Sequence, residues 1–161
     1  MTHSALEWNA DIKAHLSKGY QVGGGKVDAE SAQREHEGGR GYKIPNGAIY
    51  TTVGDLARFT SFLLGKGPDS VLKSSTLERN LSTLAVQADF NLSNGYMLGG
   101  MVMRRDGYTA FGHGGAVAGY QAGLYMNRQL GVGVIVLANA IGGDAVGADG
   151  LALRSLDLLS K

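Results

Sequence analysis

Residues 111–139 read FGHGGAVAGYQAGLYMNRQLGVGVIVLAN. Two runs in this stretch, 120–126 and 132–138, are separated by the turn-forming segment from Asn127 to Gly131 and read as a β-hairpin. The second run, with Val132, Val134, Ile135, Val136 and Leu137, is almost continuously apolar, the pattern of a strand buried on both faces. Just ahead of the hairpin, His113-Gly114-Gly115 puts an imidazole and two residues without a Cβ on one strand. Such a strand lets another backbone approach closely.

Working outward, Asp106-Gly107 is a strong hairpin signal and joins 96–103 to 108–116. The expected sheet is antiparallel and contains 96–103, 108–116, 120–126 and 132–138. Downstream, Leu151, Leu158 and Leu159 place an apolar stripe on a closing helix whose first turns are weakened by Gly147 and Gly150. Upstream, 52–64 reads as a helix. Thr52 and Asp55 resemble a capping box, Leu56, Phe59 and Leu63 form a stripe that Phe62 widens, and Gly65, Gly67 and Pro68 stop it. A second helix is expected over 75–84, with Ser75 and Glu78 as capping box and Leu77, Leu81 and Leu84 as its apolar face. Residues 1–18 are irregular or a short helix. Residues 19–47 read as a Gly-rich connection. The pattern implies an α+β fold, an antiparallel β-sheet with flanking helices.

Composition narrows the function. At 161 residues the chain has the size of one domain, able to bury about two-thirds of its unfolded surface. It is 43% hydrophobic and 18% charged, which fits a globular chain, and a net charge of +1 gives no basic surplus for nucleic acid. The absence of Cys excludes disulfides and thiolate metal sites. No apolar run reaches the roughly 20 residues of a membrane span. The first residues, MTHSALEWNADIK, do not read as a signal peptide, and localisation stays open. There is no Gly-x-Ser-x-Gly elbow, His-Glu-x-x-His or Walker loop. His36-Glu37 reads as solvated, and His3 and His15 have no partner at ligand spacing, so neither metal nor cofactor is expected. Asp55 reads as a helix-start residue rather than an acid.

The ordered set IPNGAIYTTVGDLARFTSFLLGKG, NGYMLGG, FGHGG, Gly119 and the hairpin ending in Asn139 resembles the C-terminal half of the serine β-lactamase-like hydrolases. These include class C β-lactamases, D-alanyl-D-alanine peptidases and related esterases and amidases. The likeness runs from about Gly19 to Asn139. It implies the C-terminal half of the β-lactamase/transpeptidase-like fold, as a single partial domain over 1–161. Its expected parts are an irregular Gly-rich lead-in (1–47), a helical part (48–93), an antiparallel sheet with the HGG motif (94–140) and a C-terminal helix (141–161). Met1-Thr2-His3-Ser4 resembles the family's sequence just after its Tyr-x-Asn region, so Met1 is expected to be internal to the parent fold.

The family's third motif is Lys/His-x-Gly, here His113-Gly114-Gly115. The resemblance implies that His113 lines the cleft opposite the nucleophile, where it hydrogen-bonds substrate or relays a proton. It implies that Gly114 and Gly115 admit the substrate backbone, and that the amide of Ala116 donates to the oxyanion hole. The alternative is a strand histidine satisfied by packing, with glycines that serve only a twist or bulge. The family's Ser-x-x-Lys and Tyr-x-Asn have no credible counterpart. Ser70-Val71-Leu72-Lys73 has the spacing, but Pro68-Asp69 precede it and Ser74-Ser75 begin a helix after it, so it reads as a chance match. Whether the chain is an enzyme by itself stays open. The expected function is one wall of a site for acyl transfer from an amide or ester to water. A non-catalytic, stand-alone binding or remnant domain is the alternative. Expected partners are a small-molecule amide or ester substrate and a chain or segment carrying the nucleophile, or self-association.

Overall fold

The computed structural model describes residues 1–39, 41–47, 49–83, 86–87, 90–91, 93–142 and 146–161. In chain order its elements are α1 (Ala10–His15), β1 (Tyr20–Gly23), β2 (Lys26–Asp28), α2 (Ser31–Glu37), a 3-10 turn (Gly41–Lys43), α3 (Val53–Ser61), a π-helical turn (Phe62–Lys66) and α4 (Ser74–Ser82). There follow β3 (Val86–Gln87), β4 (Asn94–Met97), β5 (Gly100–Arg104), β6 (Thr109–Val117), β7 (Tyr120–Asn127), β8 (Val132–Ala138), β9 (Ala140–Ile141) and α5 (Ala148–Leu159). Strands β3 to β8 form one antiparallel sheet in sequence order, flanked by helices, an α+β fold. No helix among the described residues is long and apolar enough to cross a membrane.

The expected strands 108–116, 120–126 and 132–138 are β6, β7 and β8. The expected single strand 96–103 is instead a hairpin, β4 and β5, closed by the pair Met97↔Gly100 with Gly99 at φ 80°. Gly100 is needed there because a Cβ would stand 2.4 Å from the Phe111 ring. The Asp106-Gly107 turn forms as read, with Gly107 at φ 79° and the Arg105 N–H donating to the Tyr108 carbonyl at 2.8 Å. Between β7 and β8, the Asn127 carboxamide oxygen accepts from the amides of Gln129 and Leu130, at 3.1 and 3.2 Å. Ala118 (φ 45°) and Gly119 (φ 88°) join β6 to β7, as a primed two-residue turn requires.

Residues 19–47 carry β1, β2 and α2 where a connection was expected. β1 turns back on β2 and also pairs in parallel with β9, Tyr20 opposite Ala140 and Gln21 opposite Ile141. That partner lies near the other end of the chain, out of reach of local reading.

The large sheet is packed on both faces. One core holds Met103, Tyr108, Ala110 and Tyr125 against Ala152 and Leu156 of α5, with Val132, Val134 and Val136 around it. The other holds Phe111 and Met126 against Leu77 and Leu81 of α4, with Phe62, Leu63 and Leu64 beside them. β8 is a sheet edge, not a strand fully buried on both faces, and its Leu137 is 38% exposed.

Two helices, α5 and α3, present faces other than those expected. In α5 the buried residues are Ala148, Ala152 and Leu156, whereas Leu151, Leu158 and Leu159 are exposed. The helix lies so close to β7 that a Cβ on Gly123 would meet the Ala148 carbonyl oxygen at 2.6 Å, so small side chains face the sheet. In α3, capped by Thr52 as read (Asp55 N–H to Thr52 Oγ1, 3.2 Å), Asp55 and Thr60 are buried and Phe59 is exposed. Thr60 fits the hollow left by Gly133 of β8, where a Cβ would stand 2.6 Å from its Cγ2. In α4, Leu77 and Leu81 are buried as read, and Leu84 lies outside the described residues. The Ser75–Glu78 box does not form. Asp69 accepts from the Ser74 amide and hydroxyl at 3.1 and 2.6 Å, and Glu78 pairs with Arg128 at 2.6 Å.

Candidate functional site

β7 accompanies β6 from Ala110 to Val117, but β5 accompanies it only from Thr109 to Gly112. Among the described residues, positions 113–117 therefore have a strand on one side and none on the other. Such an edge offers backbone donors and acceptors to an extended chain. His113, Gly114, Gly115 and Ala116 all lie on it.

His113 is exposed. Its Nδ1 contacts the Gly114 carbonyl oxygen, and its ring meets Tyr96 of β4 edge-on, with centroids 5.8 Å apart and planes at 85°. A carbonyl oxygen only accepts, so Nδ1 donates and Nε2 carries the lone pair of the neutral ring. Nothing in the local sequence pattern signals Tyr96, which reaches His113 only through the pairing of three strands.

The two glycines look in opposite directions, as strand alternation dictates. A Cβ on Gly115 would meet nothing within 4 Å, whereas one on Gly114 would stand 1.9 Å from Asp149 Oδ1 of α5. Behind the edge, the hydroxyl of fully buried Tyr125 donates to Asp149 at 2.5 Å, and Gln121 Oε1 accepts from the Ala148 amide at 3.0 Å. Burial, reinforced by the Asp149 carboxylate, pushes the Tyr125 hydroxyl well above its ordinary 10.0. This wall of α5 and β7 is thus a fixed backing for β6.

Elsewhere the candidates separate. Ser70 is in an exposed turn, and Lys73 is extended at ψ 135°, so the two do not share a helical turn. Asp55 is buried and accepts from the His3 amide, the Ser4 hydroxyl and Arg58 Nη1, each at 2.8 Å. Burial by itself would raise its carboxyl, but the bonds from Ser4, His3 and Arg58 bring it below 3.8. It anchors the first residues to α3. His36, read as solvated, packs against Trp8 at 4.2 Å between centroids and bonds the Tyr50 hydroxyl through Nδ1 at 2.5 Å. Residues 8, 36 and 50 are too far apart in sequence for spacing to reveal this cluster.

Tyr50 also lines a cleft of about 620 Å³, with His3, Ile12, Leu16, Tyr120 and Leu137 among its other walls. None of residues 113–116 lines it. The open edge makes the stronger candidate because it joins a titratable ring to backbone donors. Among the described residues no three His, Asp or Glu side chains gather as a metal site.

Comparison with known proteins adds one match: the family model described as Beta-lactamase covers residues 1–157. No curated protein matches the chain.

Proposed function

The chain belongs to the beta-lactamase family, and from that premise we propose that it supplies one wall of a serine-hydrolase site. The wall is the β6 edge from His113 to Ala116, and the reaction is acyl transfer from an amide or ester to water. The observation that carries this reading is the open edge at 113–117, with an exposed imidazole and an unobstructed glycine on it. The nucleophile comes from a segment or chain bearing Ser-x-x-Lys and Tyr-x-Asn.

A substrate acyl group lies along 113–117 as an added strand. The serine oxygen attacks its carbonyl carbon, and the amine or alcohol leaves with a proton. Water then cleaves the serine ester, releasing the acid and restoring the hydroxyl. The Ala116 amide donates to the carbonyl oxygen as it becomes negative, worth a few kcal/mol in the transition state. His113 Nε2 is the group on this wall able to give or take a proton.

The test is complementation. The chain alone should give no acyl-enzyme burst with a chromogenic lactam or short-chain ester. Addition of a segment carrying the two missing motifs should restore turnover. In that mixture His113→Ala should lower kcat by on the order of 100-fold, and Ser70→Ala should change nothing. Hydrolysis by the chain alone that Ser70→Ala abolishes would overturn the proposal. Failure of every mixture, with peptide still bound at the edge, would favour a non-catalytic binding domain.

A further inference from the structure

We infer that Tyr96 is a positioning residue for His113; the inference rests on the reading of the edge above. The β4–β5 hairpin turns back at Leu98-Gly99, and β5 stops pairing with β6 at Gly112. One end of this hairpin therefore stands where the open edge begins, and Tyr96 on β4 brings its ring to the imidazole.

The pair is not part of a core. Tyr96 is 38% exposed and His113 is exposed. The Nδ1 contact to the neighbouring Gly114 carbonyl restrains one nitrogen but spans a single residue, and an exposed side chain so held still samples several rotamers. The Tyr96 ring closes a second side of the imidazole at 85°, the T-shaped arrangement that aromatic rings favour. With both contacts the imidazole is held in one orientation on the strand. Without Tyr96 it keeps that orientation for only part of the time, and the rate falls by that fraction. The ring does this and the hydroxyl does not, because among the described residues the Tyr96 hydroxyl makes no hydrogen bond. Phenylalanine should therefore serve equally well.

Two measurements test it. In NMR spectra of the full chain, His113 ring protons are assigned by their loss in His113→Gln. Nuclear Overhauser contacts to the Tyr96 ring should be present, and Tyr96→Ala should move the His113 ring resonances while leaving those of His15 in place. In the complemented hydrolase, Tyr96→Ala should lower kcat about fivefold with KM unchanged, and Tyr96→Phe should restore it to within about twofold. Absent ring contacts, a kcat unchanged by Tyr96→Ala, a loss confined to KM, or failure of Tyr96→Phe to rescue would each overturn the inference. Tyr96→Ala without effect where His113→Ala has one would overturn this inference alone. His113→Ala without effect would overturn the reading of the edge as well, even with the ring contacts present.

Discussion

Replacing Gly114 and Gly115 by alanine, one at a time, tests how β6 is set between α5 and the open edge. At Gly114 the new methyl would stand 1.9 Å from Asp149 Oδ1 and 2.5 Å from its Cγ, so the carboxylate must swing away. It then releases the hydroxyl of Tyr125, which donates to it at 2.5 Å from a fully buried residue. A buried hydroxyl left without its acceptor costs about 1–3 kcal/mol. Alanine in a strand recovers about 0.5–1 kcal/mol relative to glycine. The net loss should be about 1–2 kcal/mol, or a Tm lowered by about 2–8 °C for a chain of this length. Gly115→Ala meets nothing within 4 Å and should leave Tm unchanged or slightly raised. Urea unfolding of both variants, with Asp149→Ala and the Gly114→Ala/Asp149→Ala double variant, closes the cycle. Once Asp149 is gone, the alanine at 114 should cost almost nothing more. In the complemented hydrolase the order reverses: Gly115→Ala should impair turnover, while Gly114→Ala, assayed below its melting range, should not. A neutral Gly114→Ala, or a Gly115→Ala equally costly to stability, would refute the alternation from which the edge is built.

In α5, Leu156→Ala should cost about 2–5 kcal/mol, because Leu156 is fully buried, whereas Leu158→Ala should stay within about 0.5 kcal/mol; urea midpoints read both. Asp157 accepts from the Arg105 guanidinium and, at 2.8 Å, from the Tyr108 hydroxyl. The Arg105 bond, opposed by burial and aided by Tyr108, holds its carboxyl below the ordinary 3.8. Its stabilisation is therefore fully present above the unfolded value and is lost as pH falls through the lower folded one. Asp157→Asn should accordingly flatten the dependence of the urea midpoint on pH below about pH 4. Val53, Phe59, Leu151, Leu158 and Leu159 are all exposed apolar residues, so the isolated chain should self-associate. Sedimentation velocity over a wide concentration range checks this, and a strictly monomeric chain at the highest concentration would count against it.

Sequence alone determined what depends on a few neighbouring residues. Asp106-Gly107, the Asn127–Gly131 segment and the Thr52 N-cap each form as read, because left-handed glycines and short polar side chains act within one turn, whereas the Asp55 carboxylate, expected to complete a capping box, turns to His3, Ser4 and Arg58 instead. The same local legibility placed three of the sheet's strands and put His113 on a glycine-bearing strand. Tertiary structure alone decided which faces of α3 and α5 are covered. Leu151, Leu158 and Leu159 make a plausible stripe, yet Ala148, Ala152 and Leu156 are buried, because Gly114 and Gly123 let α5 settle close to the sheet. It also made a hairpin of the stretch 96–103 by seating the Phe111 ring against Gly100, and it gave β1 a parallel partner in β9. At the site, only the register of β6 between β5 and β7 shows where the edge opens, turns Gly114 toward α5 and Gly115 toward free space, and brings Tyr96 to His113. Propensity is a property of a segment, whereas burial and contact depend on what stands opposite, and in this chain the opposing groups come from strands and helices distant in sequence.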